Sequence, residues 1–308
     1  MLRRFLLWLS RNERMRRWVM KSRLTRGMVN RFIAGSNLDE TVISGRRLNK
    51  SGILLTMDHL GESVSTEDEA DEAGRVYLQM LDRIKQENLR ATVSLKPTQL
   101  GLAVGPDRCH QRIRAIVEKA VGHGLSVEID MEDSPFTDAT LSIYEALLKS
   151  DRNLRVCLQS YLSRTDADLR RLIDAGGSVR LVKGAYREPA AVAVQSKGEV
   201  NDAFLRHMQM ALTPDAVLAG FRLAIATHDD KLVQAAREIA VKNRVDKKDF
   251  EFQFLYGIRT DLQAGLAADG YTVRVYQPYG QQWYPYFMRR LAERPANLWF
   301  LVKNLFRS

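Results

Sequence analysis

Two adjacent arginines near the end of the chain have the type and spacing of a carboxylate-binding pair. They belong to the segment WYPYFMRRLAER, residues 283–294. In a helix that begins at the proline of this segment, one face carries Tyr286, Arg289, Arg290 and Glu293. Two guanidinium groups on one face can hold a small carboxylate by paired hydrogen bonds, and Glu293 can hold one arginine in place. The alternative is a solvated helix face, in which water screens the two like charges.

Other reactive side chains recur at the ends of apolar segments rich in β-branched residues. In chain order they are Lys96, Asp130, Gln159, Arg180, Lys183, His228 and Tyr276. Taken singly, a lysine at a strand end is usually solvated, and a buried histidine usually satisfies a hydrogen bond in the core. Their recurrence at six strand ends favours one shared site, provided that the fold brings those ends together.

Eight such segments alternate with stretches of helical apolar spacing and are interpreted as strands. The predicted strands are 53–58, 91–96, 125–130, 155–161, 178–184, 222–228, 250–256 and 273–278. Strict alternation with eight strands favours an α/β fold of the (βα)8 TIM-barrel type over an open sheet. No GxGxxG or GxxxxGK[ST] motif occurs, so the Rossmann and P-loop folds lose their main support. A TIM-type barrel carries its active groups at the carboxyl ends of its strands.

The net charge of +10 is concentrated at the start of the chain. Residues 1–31 contain ten Arg or Lys and a single acid, Glu13, with tryptophan and leucine interleaved. We therefore divide the chain into a basic helical arm, 1–45, and a nearly neutral catalytic barrel, 46–308. The arm suits an anionic membrane surface, although an ordinary helix packed on the barrel explains the same pattern. Nucleic acid is not expected as a partner, because no groove-reading motif accompanies the arm.

The cysteine content and the absence of long apolar runs indicate the cellular compartment in which the protein is expected. Cys109 and Cys157 have neither the number nor the spacing of a disulfide framework or a metal site. No apolar run reaches the length of a membrane span, and the FLLWL near the start is too short for a signal-peptide core. We expect a cytoplasmic protein without a metal, with peripheral contact at the inner face of the membrane as a hypothesis for the arm.

Together the motifs resemble those of the flavin-dependent proline dehydrogenases of the compact, single-activity type. The resemblance rests on VSLKP, EIDME, LVKGAY, ATHD and YFMRRLAER in that order, and it covers about 50–300. It implies a distorted barrel whose final helix lies over the barrel mouth instead of packing outside it. It also implies the first step of proline catabolism, oxidation of L-proline to Δ1-pyrroline-5-carboxylate, with FAD as cofactor and a quinone as electron acceptor.

The same resemblance implies a role for each motif residue. Asp130 and Arg180 would be catalytic, with Arg180 near the flavin N5. The residues implied to bind proline are Lys96, Leu255, Tyr276, Tyr286, Arg289, Arg290 and Glu293. The residues implied to bind FAD are Met131, Gln159, Arg180, Lys183, Gly184, Ala185, Thr227 and His228.

Two other functions stay open from the residue types alone. A barrel lyase or aldolase would use Lys96 or Lys183 as a Schiff-base nucleophile. A membrane- or RNA-binding protein would use the basic arm, with the barrel as a scaffold. The residue types also do not separate FAD from FMN, or proline from hydroxyproline.

Overall fold

Eight parallel strands close into a barrel in which each strand pairs with its neighbours in chain order. The computed structural model describes residues 33–61 and 64–280. The last strand pairs with the first, with Tyr279 opposite His59, and this pairing closes the sheet. Residues 1–32 of the predicted basic arm, 1–45, and the predicted final helix around the paired arginines lie outside the described residues.

All eight predicted strands are confirmed, with small shifts at their ends. The strands are β1 (Leu54–His59), β2 (Ala91–Leu95), β3 (Val127–Ile129), β4 (Leu154–Gln159), β5 (Ser178–Val182), β6 (Arg222–Ala226), β7 (Phe250–Leu255) and β8 (Thr272–Tyr279). The largest difference is in β3, which is shorter than the predicted 125–130.

Helices connect the strands and precede the first one. They are α1 (Leu38–Lys50), α2 (Glu67–Gln86), α3 (Pro106–Gly122), α4 (Thr137–Leu148), α5 (Thr165–Asp174), α6 (Lys197–Ala211), α7 (Pro214–Leu218), α8 (Asp230–Lys242) and α9 (Thr260–Ala268). Short 3₁₀ turns at Pro97–Leu100 and Ser134–Phe136 follow β2 and β3. Capping boxes begin α2 and α6, where a Ser or Thr side chain and a Glu three residues later bond reciprocally to backbone N–H groups.

The strands alternate between apolar residues that pack outward and polar residues that line the barrel. In β1, Leu55 and Met57 are fully buried in the hydrophobic core. Thr56 lies between them and donates from Oγ1 to Glu128 Oε2 inside the barrel, at 3.2 Å. Successive side chains of a strand point to opposite faces, so the alternation places one set under the helices and the other inside the barrel.

Helix α1 packs on the outside of β8 and β1. The side-chain amide of Gln277 in β8 donates to Thr41 O at 3.2 Å. A Cβ on Gly45 would lie 2.7 Å from a methyl group of Leu55, so the helix backbone approaches β1 closely. The segment before α1 also pairs with the end of β8, through Ala34 N donating to Pro278 O at 3.0 Å.

Candidate active site

Closure of the barrel brings together the polar residues at the carboxyl ends of β1, β2, β3 and β8. Lys96 directly follows β2 and Asp130 directly follows β3, while Asp58 and Tyr276 lie near the ends of β1 and β8. Parallel strands direct all their carboxyl ends to one edge, so these four side chains meet at the barrel mouth.

Lys96 lies between two carboxylates at this mouth. Its Nζ is 2.9 Å from Asp58 Oδ1 and 2.9 Å from Asp130 Oδ2. Burial alone would lower the pKa of Lys96, but the carboxylates of Asp130 and Asp58 outweigh burial and raise that pKa well above its ordinary value. Lys96 is therefore an ammonium ion across the physiological pH range.

Asp130 accepts hydrogen bonds from several sides. Tyr276 donates from its hydroxyl to Asp130 Oδ2 at 2.8 Å, and Ser94 donates to Oδ1 at 2.6 Å. Arg180 also pairs with Oδ1. Burial would raise the pKa of Asp130, but Lys96, then Arg180 and the Ser94 hydroxyl, hold it well below its usual range. Asp130 is thus a carboxylate whose position is set from four directions and which is a weak base.

Arg180 is buried inside the barrel and connects the cluster of Lys96, Asp130 and Tyr276 at the mouth to charged residues deeper in the barrel. One guanidinium nitrogen pairs with Asp130, and Nη1 donates to Glu128 Oε2 at 2.8 Å. The guanidinium carbon lies 5.2 Å from the centre of the Tyr276 ring, within cation–π distance. The same arginine therefore touches the carboxylate and the aromatic ring of the candidate site.

A second ionic layer lies below, towards the amino ends of the strands. Arg155 bridges Glu128 at 2.6 Å and Glu251 at 2.5 Å. Arg274 pairs with Glu251 at 2.8 Å, and the Gln253 amide donates to both carboxylates at 2.8 Å. Four carboxylates and four cations thus neutralise one another along the barrel interior. They are Asp58, Glu128, Asp130 and Glu251 with Lys96, Arg155, Arg180 and Arg274.

Backbone and side-chain amides organise the ends of β4 and β5. The Gln159 side chain is buried, donates to Glu132 O at 2.8 Å and accepts from Ala185 N at 3.1 Å. Lys183 Nζ lies 2.9 Å from Asp229 Oδ2. Gly184 has φ +120 and packs on a tyrosine, so a Cβ there would lie 2.2 Å from the Tyr161 ring. A glycine is required at 184 on both counts.

His228 is neutral and oriented by the neighbouring strand. Leu255 N donates to His228 Nε2 at 3.0 Å, so Nε2 is the acceptor and the ring proton is on Nδ1. Burial, aided by the nearby Arg259 and Lys183 charges, lowers the pKa of His228 to about 4. Leu255 itself is 43% exposed.

The model of the proline dehydrogenase family matches residues 42–303. Proline dehydrogenase 1 of Bacillus subtilis subsp. natto is 38% identical over 308 residues, which is 100% of both chains. The chain belongs to the proline dehydrogenase family. The proline dehydrogenase of Deinococcus radiodurans is 34% identical over 286 residues, 91% of each chain. The full-length matches to single-activity relatives confirm the predicted family and type.

Solved structures of proline utilization A proteins share the barrel of this proline dehydrogenase. The protein from Bdellovibrio bacteriovorus, inactivated by N-propargylglycine, matches 89% of this chain with a TM-score of 0.81 and 23% identity. The protein from Corynebacterium freiburgense matches 99% of this chain with a TM-score of 0.75 and 23% identity. This chain spans about a third of each of those longer proteins, 33% and 34% respectively. The likeness confirms the predicted TIM-type fold.

The residues predicted for the proline dehydrogenase site fall into three groups in the structure. Lys96, Asp130, Arg180 and Tyr276 meet in one hydrogen-bonded cluster. The second group lies at the ends of β3 to β7 and comprises Met131, Gln159, Lys183, Gly184, Ala185, Thr227, His228 and Leu255. The third group, Tyr286, Arg289, Arg290 and Glu293, lies outside the described residues.

Two acidic residues of this proline dehydrogenase cluster were not predicted. Asp58 ends the predicted strand 53–58, so the strand-end rule that selected Lys96 would have found it. Glu128 precedes Asp130 by two residues and therefore faces the same side of its strand. Its partners lie on other strands, and no local spacing in the sequence indicates them.

The part of the chain that the structure describes contains no group of three or more His, Cys, Asp or Glu arranged to hold a metal ion. In the same part, no helix is long and apolar enough to cross a membrane. Cys109 and Cys157 are both buried and unpaired.

Proposed function

We propose that the protein oxidises L-proline to Δ1-pyrroline-5-carboxylate with FAD as the hydride acceptor. Membership of the proline dehydrogenase family supports the reaction class. The observation that carries the proposal is the cluster at the barrel mouth, in which Asp130 is held by Lys96, Arg180 and Tyr276. A fixed charged cluster beside an aromatic ring suits a small amino acid with a charged carboxylate and an apolar ring.

The proposed contacts involve both the carboxylate and the ring of the substrate. Arg289 and Arg290 bind the carboxylate by paired hydrogen bonds, and Glu293 orients one of them. The rings of Tyr276 and Tyr286 pack against the five-membered ring, together with Leu255, whose exposed side chain supports a contact role. Lys96 adds positive charge on the carboxylate side, and its raised pKa keeps that charge in place.

The residues proposed to hold FAD fit an anionic dinucleotide. Arg180 and Lys183 supply positive charge, and Thr227 and His228 Nδ1–H supply hydrogen-bond donors at the ends of β5 and β6. Gln159, Gly184, Ala185 and the Met131 backbone complete the proposed set. The choice of FAD over FMN rests on the family resemblance. When bound, FAD supplies the hydride acceptor at N5 and the sink for two electrons.

The protein's part in the reaction is orientation and electrostatics. The substrate loses a hydride from C5 and a proton from its amine, so the amine must be neutral before the hydride leaves. The two arginines that bind the carboxylate fix the position of C5 relative to the hydride acceptor. Binding of the substrate therefore also aligns it for the transfer. Arg180, held by Asp130, places positive charge where negative charge develops during the transfer.

The physiological electron acceptor is proposed to be a membrane quinone. The basic arm over 1–31, with ten Arg or Lys against one acid, supports peripheral contact with the anionic inner face of the membrane. Deleting 1–31 is expected to reduce binding to vesicles that contain anionic lipid and to leave oxidation of proline by a soluble dye intact. Equal vesicle binding by both proteins would remove the membrane role.

The visible spectrum before and after anaerobic addition of L-proline tests the central proposal. A yellow protein whose flavin absorbance bleaches on addition is the expected result. Acid release and mass analysis of the flavin distinguish FAD from FMN. A protein that binds flavin but is not bleached by proline contradicts the substrate, and hydroxyproline in a parallel sample tests the alternative ring.

The Schiff-base lyase remains the second candidate, but one observation disfavours it. A Schiff-base nucleophile must be a neutral amine, whereas Lys96 is paired with two carboxylates and its pKa is raised. Lys183 is paired with Asp229. Borohydride in the presence of substrate is expected to leave both lysines unmodified by peptide mass mapping, and a reduced adduct on either one would favour the lyase.

A further inference from the structure

Glu128 is a buried carboxylate one layer below the proposed reaction site. It lies in β3, is 1% exposed, and has no place among the substrate or flavin contacts described above. Its Oε2 accepts from Arg180 Nη1 at 2.8 Å and from Thr56 Oγ1 at 3.2 Å. Its Oε1 accepts from Arg155 Nη1 at 2.6 Å and from the Gln253 amide at 2.8 Å.

Four hydrogen bonds from four different strands hold this carboxylate in place. A buried carboxylate is costly unless its oxygens are satisfied, and here both oxygens are. Burial would raise the pKa of Glu128, but Arg180 and Arg155 outweigh burial and lower it. Glu128 is therefore ionised and rigid, with a full negative charge against Arg180.

Arg180 has two carboxylate partners, and they act on it from different sides. Asp130 pairs with Nη2 and Glu128 pairs with Nη1, so the two acids together determine the plane of the guanidinium. A planar guanidinium held at two of its nitrogens has little freedom to rotate. The negative charge of Glu128 also offsets part of the positive charge that Arg180 directs towards the mouth.

We infer that Glu128 is a positioning residue that sets the orientation and the effective charge of Arg180, and through Arg180 the reduction potential of the bound flavin. The inference rests on the proposed function. Removing the negative charge leaves Arg180 less compensated, which favours the electron-rich reduced flavin and raises its potential. Glu128 thus lowers the reduction potential of the bound flavin, and it also fixes the orientation of Arg180, which stabilises the hydride transfer.

The barrel contains a matched control for this inference. Glu251 is also a buried carboxylate and shares Arg155 with Glu128. Its other partners are Arg274 and Gln253, and the contacts of the described residues include none between Glu251 and Arg180. Glu128→Gln and Glu251→Gln therefore each remove one negative charge from the barrel interior. Only Glu128→Gln removes an ionic partner of Arg180.

The experiment measures the reduction potential of the bound flavin by dye equilibration in the full-length wild type and both variants, each loaded with flavin and then freed of unbound flavin. Glu128→Gln is expected to shift the equilibrium towards reduced flavin by about tenfold, which is about 30 mV for a two-electron couple. Glu251→Gln is expected to shift it several times less. Equal shifts in the two variants, or no shift in Glu128→Gln, would overturn the inference and leave Glu128 a structural residue.

A second pair of variants tests whether Glu128 acts through Arg180. In an Arg180→Gln background, adding Glu128→Gln is expected to change the potential no more than adding Glu251→Gln does. An undiminished Glu128→Gln shift in that background would overturn the route through Arg180. If Glu128→Gln does not fold, Glu128→Asp replaces it, because the shorter side chain keeps the buried charge but withdraws it from Arg180. Its potential is expected to lie above that of the wild type by less than the shift for a tenfold change, and an unchanged potential would overturn the inference.

The two proposals fail in different ways. A wild-type protein that binds no flavin overturns both the proposed function and this inference. A wild type that binds flavin and is bleached by proline, with equal shifts in the two glutamine variants, overturns only the inference.

Discussion

Lys96 Nζ lies 2.9 Å from Asp58 Oδ1, and this ion pair joins the carboxyl ends of β1 and β2. Asp58 is fully buried, and within the described part of the chain its second oxygen, Oδ2, has no hydrogen-bond partner. The same ammonium is 2.9 Å from Asp130 on its other side. Asp130 and Asp58 together therefore raise the pKa of Lys96 and hold its ammonium group from two sides.

Replacing Asp58 by Asn is expected to lower the pKa of Lys96, because one of the two carboxylates that raise it is lost. The alkaline limit of kcat/KM for proline should move to lower pH, and KM should rise about tenfold, equivalent to about 1.4 kcal/mol. A pH profile of kcat/KM measures both. Asp82→Asn is the control, because Asp82 pairs with the surface residue Lys119 at 2.7 Å. An alkaline limit that stays at the wild-type pH in Asp58→Asn would refute the role of Asp58.

Replacing Arg290 by Ala is expected to raise the KM for proline about 100-fold, or about 2.7 kcal/mol, because a charged hydrogen-bonding partner of the carboxylate is lost. Flavin content should stay at the wild-type level, as read from the visible spectrum. Arg289→Ala should act in the same direction. Arg75→Ala on α2 is the control, since Arg75 is exposed and pairs only with Glu72 among its described ionic contacts. A wild-type KM in Arg290→Ala would contradict the carboxylate clamp.

Replacing Gly184 by Ala is expected to destabilise the protein and weaken flavin binding. The added Cβ would lie 2.2 Å from the Tyr161 ring, and the backbone has φ +120, which alanine rarely adopts. The loss in unfolding free energy should exceed about 2 kcal/mol, measured by denaturant titration. Gly198→Ala in α6 is the matched control, because a Cβ there meets nothing within 4 Å. That variant should be about 0.5 kcal/mol more stable, and equal effects at the two positions would disprove the steric argument.

The stability of the protein is expected to fall as the pH drops from about 6.5 towards 4, partly because of His228. Burial lowers the pKa of His228 to about 4 in the folded state, so the unfolded chain binds a proton that the native state excludes. His228 costs no stability above its unfolded pKa of about 6.5, and the loss in unfolding free energy reaches about 2 kcal/mol at pH 5. His228→Gln should flatten the decline between pH 7 and pH 5 in denaturant titrations. His59 and His207, whose pKa values burial also lowers, are retained in both proteins, so the difference isolates His228. Parallel declines in the two proteins would contradict the assignment.

The positions of the strands could be read from local patterns with few errors. Apolar β-branched runs bounded by helical segments located all eight strands, and the largest difference was the short β3. This worked because both faces of barrel strands lie inside the protein, so each strand is distinct from its amphipathic flanking helices. Strand ends could be named for the same reason, and those ends carry Lys96, Asp130 and Tyr276.

The pairing of charges inside the barrel could not be read from local patterns. Arg155 in β4 lies far along the chain from Glu251 in β7 and Arg274 in β8, and only the closed barrel brings the three together. Seen along one strand, each is a charged residue in an apolar run. In the closed barrel these charged residues form one neutral network, because each inward-facing charge pairs with an opposite charge from another strand.

The sequence by itself determined the alternation of strands and helices, the family motifs and the strand ends that supply the candidate site. These properties depend on residue type and short spacing, which the chain carries whether or not it is folded. The tertiary structure alone decided that Lys96 stays charged between two acids, that His228 stays neutral, and that Glu128 supports Arg180. Those properties depend on distances between residues far apart in the chain and on burial away from water, and both exist only once the barrel has closed.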